Sequence, residues 1–234
     1  MIFRIGIENN NDDRSIAWAL DYPGCFAYGE NSEDAQRNFF QAAQEYRAWI
    51  AQQEEPWLDE EVEVIIEETF DVYFINPSFE RAERGKDTYM VESFFTQEWK
   101  PLRPHEIERA LKLLAWSRAD LLSLVDGLDL ETRSRSFPNE RWAIDGILNH
   151  IGGAEWWYQE RIGYAFPESE EDVPADPLER LQVVRDHFNG LLPKLDGVSK
   201  VVGLDGEIWS PRKVLRRALW HERDHTDHIR KLLG

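Results

Sequence analysis

Cysteine is almost missing from this sequence: Cys25 is the only one in 234 residues. An intrachain disulfide is thereby excluded, and a single thiol reads as a buried structural residue before a reactive one. No apolar run approaches the length of a membrane span, and the first residues lack the basic-then-apolar order of a secretion signal. A cytoplasmic protein with no membrane partner is the expectation. Positive charge is also scarce, with 27 Lys and Arg against 45 Asp and Glu and a net charge of −18. A chain without a basic stripe is a poor nucleic-acid binder, because neutralising phosphate supplies most of that affinity.

What is present suffices for a core: 42% of residues are apolar, and ten are tryptophan. The acidic excess is uneven. Residues 1–100 hold 8 Lys and Arg against 22 Asp and Glu, whereas residues 101–234 hold 19 against 23. That asymmetry suggests two joined units, 1–100 and 101–234. A solvated acidic surface is its simplest meaning.

The first hundred residues read as mixed α and β. Met1–Glu8 alternates Phe3, Ile5 and Ile7 with other residues, as a strand does. Asn9–Arg14 is a polar turn cluster, Ser15–Leu20 a second strand, and Asp21-Tyr22-Pro23-Gly24 a turn before the short extended Phe26–Tyr28. Ser32, followed by Glu33 and Asp34, looks like a helix N-cap. The helix it opens carries Phe39, Phe40, Ala43, Tyr46 and Ile50, and is expected to end before Pro56. Glu61–Ile75 regains strand character, Asn76–Asp87 is a polar loop, and Tyr89–Phe95 a last strand.

The run from Ala17 to Ala35, with its strand, Pro23-Gly24-Cys25 turn, strand and acidic helix opening, resembles the HicB-like family of small α+β domains. The resemblance covers residues 1–70 and implies the fold. Many HicB-like domains are antitoxins with a partner toxin; no DNA-binding segment is visible here, so that role is not carried over.

Pro101 and Pro104 mark the junction. Beyond them the apolar period becomes about 3.6, which predicts helices at His105–Gly127, Asn139–Tyr164, Pro177–Leu195 and Pro211–Leu233. Ser210 followed by Pro211 is a strong start signal for the last. Four amphipathic helices with no strands between them describe an all-α four-helix bundle.

Within it, His221 and His225 occur in W-H-E-R-D-H-T-D-H and His150 in N-H-I-G-G-A-E-W-W. Residues four apart on a helix leave the same face one turn apart, so His221 and His225 can offer two nitrogens to one metal. His150 could supply a third from another helix. Gly152 and Gly153 follow it, and each interior glycine costs up to about 1 kcal/mol against alanine. Open volume or a close backbone approach is therefore wanted there. The competing reading is of satisfied core histidines beside a tight helix crossing.

Residues 101–234, with these three histidines in this helix order, resemble the DinB-like superfamily. The resemblance implies a metal site on His150, His221 and His225, zinc or nickel as the divalent ion, frequently a homodimer, and relatives acting as thiol-S-transferases or thiol-dependent isomerases with low-molecular-weight thiols. Three neutral imidazoles leave the ion its charge and an open position for a thiol or water. The expectation is a metal-dependent transferase or hydrolase acting on a small-molecule substrate. Its rival is a non-catalytic metal-binding or stress-related interaction protein whose acidic N-terminal domain docks a partner.

His221-Glu222-x-x-His225 also matches the zincin string, but the chain has Lys231 where a metzincin places its third histidine. Glu222, Asp224 and Asp227 are candidates for orienting the histidines. His228 is assigned to the rim, and His105 and His187 to structure. Trp156-Trp157-Tyr158 reads as core, with a pocket wall as the alternative.

Overall fold

Phe3, Ile5 and Ile7 are all buried, as their alternation predicts, on strand β1 (Ile2–Asn11). The structure, a computed structural model describing residues 1–53 and 61–234, is α+β: a β-rich N-terminal region on a mixed sheet, then a mostly helical region. It divides into one unit of Met1–Lys100 with Val202–Trp209 and another of Pro101–Val201 with Ser210–Gly234.

In the first unit, β1 pairs antiparallel with β2 (Arg14–Ala19), which pairs antiparallel with β3 (Phe26–Gly29). Helix α1 (Ser32–Gln53) then leads to β4 (Glu63–Asp71), parallel to β1, giving the order β3-β2-β1-β4. A parallel neighbour requires such a crossover, and α1 provides it. Ala35, Phe39, Ala43, Tyr46 and Ile50 form its buried stripe, while Phe40 is exposed. The cap is Asn31 rather than Ser32: Asn31 Oδ1 accepts from the Asp34 amide at 3.0 Å, and the Ser32 hydroxyl donates to Asn9 Oδ1. Pro56, expected just past the helix end, lies outside the described residues. β1 runs further into the polar cluster than expected, and the turn falls on Asp12 and Asp13, both left-handed.

A three-stranded sheet of β5 (Tyr73–Ile75), β6 (Arg81–Ala82) and β7 (Tyr89–Val91) follows, in the order β6-β5-β7. β6 lies in the segment expected to be loop. Phe95, past the end of β7, lies over β1, where a Cβ on Gly6 would meet its ring at 2.5 Å.

The second unit contains α2 (Pro104–Val125), the short α3 (Leu130–Ser134), α4 (Ile144–Arg161), α5 (Pro177–Leu191) and α6 (Pro211–Leu233). Asp176 caps α5 through the Leu178 and Glu179 amides, and Ser210 caps α6 through the Lys213 amide. α4 begins five residues later than its apolar pattern suggests, after a turn with left-handed Asn139. α5 passes into a 3-10 turn at Leu192–Leu195. α2 packs on α6, α6 on α4, and α4 on α5. Their core joins Leu121, Val125, Ile144, Ile147, Leu148, Ile151, Leu181 and Ile229.

One expectation fails outright. Between α5 and α6 stands a hairpin, β8 (Val202–Leu204) and β9 (Glu207–Trp209), belonging to the first unit. Its turn, Asp205-Gly206, has φ of 52° and 81°, the left-handed pair that a two-residue hairpin turn needs.

Candidate metal centre

α4 carries His150, and α6 carries His221 and His225 one turn apart. Packing of α4 on α6 brings the three rings together, with centroids 4.5 to 5.1 Å apart. His221 Nε2 is 3.0 Å from His150 Nε2, and one nitrogen of each ring lies within 4.8 Å of the others. Three imidazoles bonded at about 2.0–2.1 Å to a tetrahedral zinc have their nitrogens about 3.3 Å apart. The spacing found here straddles that value, so a cation would fit with small ring movements.

Burial keeps these rings neutral. It holds His221 well below the ordinary imidazole pKa, with His225, His150 and Arg217 adding to the effect. His225 is pushed down to about 4 by burial, then by His150 and His228. His150 is lowered by burial and by Arg141. Neutral imidazole is the form that ligates a metal. His225 Nδ1 is buried without a hydrogen-bond partner, an orphaned atom of the kind a cation satisfies.

Beside the rings opens a pocket of about 500 Å³, bordered by His150, His221, Asn149, Gly153, Arg180 and the aromatic side chains of Trp142, Trp157 and Tyr158. Trp142 lies against His150 with ring centroids 4.7 Å apart. A Cβ on Gly146 would come within 2.9 Å of Trp142 Cβ, so the glycine makes room for that indole. The aromatic run therefore divides: Trp156 is core and donates its N–H to the Pro167 carbonyl, while Trp157 and Tyr158 form pocket wall.

Glu222, adjacent to His221, turns the other way. Its Oε2 accepts from Arg118 Nε at 2.7 Å and Arg185 Nη2 at 3.0 Å. Arg185 also clasps Glu155 through Nε and Nη2, at 2.7 and 2.5 Å, and Arg118 Nη2 reaches Glu155 at 3.4 Å. Two arginines and two glutamates are thus buried together, with further bonds to the Leu181 and Leu114 carbonyls. Burial, the largest single influence, raises the Glu222 pKa, but the two arginines together outweigh it and hold the carboxylate low. Clamped there, Glu222 is unavailable as a zincin base.

Asp227 pairs with exposed Arg230 and orients no histidine. His228 sits at the edge, its ring 6.0 Å from that of His225 and its Nε2 3.0 Å from Glu140. His187 meets Gln159 through Nδ1, and His105 is exposed. Sequence reasoning missed Arg118, Glu155 and Arg185 because charged residues at helical spacing look like a wet face; it also missed Arg180, to which only the Gly152-Gly153 pair pointed. No protein-family model matches the chain, and no curated protein matches its sequence.

Proposed function

We propose that α2, α4, α5 and α6 form a four-helix bundle of the DinB-like kind, preceded by a HicB-like domain, and that the chain is a metal-dependent enzyme. His150, His221 and His225 would hold one divalent ion, zinc or nickel. The observation carrying this reading is the convergence of three imidazoles from two helices, one buried and two half-buried, with His150 and His221 bordering a pocket. Bound there, the ion would supply Lewis acidity and lower the pKa of a low-molecular-weight thiol or water. The chain's own part is to keep the imidazoles neutral, present a small substrate between Trp142, Trp157 and Tyr158, and limit the water that reaches it. A homodimer accords with the same resemblance.

Elemental analysis of untagged protein equilibrated with zinc or nickel tests the site. One ion per chain is expected, lost in His150→Ala and His221→Ala and kept in His228→Ala. No stoichiometric ion in the parent protein would refute the reading. If the ion binds, turnover with panels of thiol plus electrophile separates an enzyme from a non-catalytic metal protein.

A further inference from the structure

The Gly152-Gly153 pair has a partner on the neighbouring helix. A Cβ on Gly152 would lie 2.7 Å from Arg180 Cγ and 3.1 Å from its Cδ, so the aliphatic stem of Arg180 crosses α4 where a side chain is missing. At Gly153 the added Cβ would be 3.5 Å from Arg180 Nη1, placing one end of the guanidinium over that residue. Two glycines inside a helix cost up to about 1 kcal/mol each. Here they seat one arginine at the pocket.

Arg180 is fixed but not neutralised. Its Nε donates to the Pro174 carbonyl at 2.7 Å. Among the described residues no carboxylate pairs with it, and its two terminal nitrogens carry no hydrogen bond. The pocket it borders has one acidic neighbour, Glu170, which is exposed. A guanidinium whose Nε is occupied still presents two N–H-bearing terminal nitrogens to an oxygen anion. Nearby, the Asn149 amide also makes no hydrogen bond within the protein, and its Oδ1 is shut away from solvent. Its Nδ2 is left to donate to a ligand carbonyl oxygen. Three aromatic side chains supply an apolar wall.

We propose that Arg180 recognises a carboxylate, and that the pocket takes a small molecule built as an N-acylated amino acid. Arg180 pairs with its carboxylate, the Asn149 Nδ2 donates to its acyl carbonyl oxygen, and Trp142, Trp157 and Tyr158 pack on its body. One guanidinium balances one carboxylate; phosphate is ordinarily gathered by several donors. That this ligand is a substrate or thiol cosubstrate rests on the metal-centre reading, but the anion preference of the pocket does not.

Calorimetric titration of the full chain, both zinc-loaded and EDTA-treated, with N-acetylphenylalanine and N-acetylphenylalaninamide tests this. The acid should bind at least about 10-fold more tightly than the amide, the size expected for a charge-assisted pair. Arg180→Met should bring the two to within about 2-fold, with zinc content unchanged, and Arg180→Lys should restore part of the difference. Should Arg180→Met fail to fold, Gly152→Ala, which displaces the same stem, should give the same loss. Equal binding of acid and amide by the parent chain would overturn the proposal, as would a preference that survives loss of the guanidinium. A chain that prefers the acid yet takes up no zinc refutes the metal centre alone; one that holds zinc without the preference refutes the carboxylate pocket alone.

Discussion

An imidazole serves a cation only while neutral, and at the residue scale burial secures that state for His150, His221 and His225. In the metal-free protein the depression has a cost. The unfolded chain takes up protons near the ordinary imidazole pKa of 6.5, whereas folded His225 waits until about 4. Stability from this group is complete above pH 6.5 and is lost as pH falls toward 4, by about 2–3 kcal/mol. Urea unfolding in EDTA should show a lower midpoint at pH 4.5 than at pH 7. His225→Asn, which has no such proton to take up, should lose less across the same window.

Gly152 allows a second residue-scale test. Alanine there gains about 1 kcal/mol of helix propensity and must displace Arg180 Cγ, a part of a side chain able to swing aside. Gly152→Ala should therefore melt within a few degrees of the parent, read by circular dichroism. His221 and His225 were legible because their spacing is local to one helix, and His150 because a glycine pair stands beside it on another. Arg180 was not, since its meeting with Gly152 depends on how α4 and α5 pack.

At the scale of elements, the buried charge cluster draws one residue from each long helix of the second unit: Arg118 from α2, Glu155 from α4, Arg185 from α5 and Glu222 from α6. Removing one member leaves the others buried without balance. Glu222→Ala should cost about 3–5 kcal/mol in chemical denaturation, although Glu222 does not border the pocket beside the histidines. Exposed Asp227→Ala should cost under about 1 kcal/mol. The same cluster limits what the sequence reveals. Apolar periodicity located α2, α5 and α6 well, but α6 also buries Lys213, Arg216, Arg217, His221 and Glu222, a side that reads as solvated. The β8–β9 hairpin had a readable signal in Asp205-Gly206 between two apolar stretches; it was hidden by treating everything after Pro101 as helical.

For the whole molecule, two units unequal in charge raise the question of what metal binding would stabilise. Among the described residues no helix is long and apolar enough to cross a membrane, and the three ligands all belong to the second unit, on α4 and α6. An ion shared by His150 and the His221–His225 pair would tie those helices together across 71 residues of chain. Binding only the folded state, it stabilises by about 2.7 kcal/mol when free metal is 100 times its dissociation constant. Hydrogen exchange should report where that energy goes. On adding zinc, amides of α4 and α6 should exchange more slowly, by up to about 100-fold where opening of these helices governs exchange. Amides pairing β1 with β2 should change less, because no ligand lies on that sheet. The slowing should vanish in His150→Ala, which retains two ligands on one helix but cannot join α4 to it. Equal slowing in that variant would place the bound zinc elsewhere on this acidic chain.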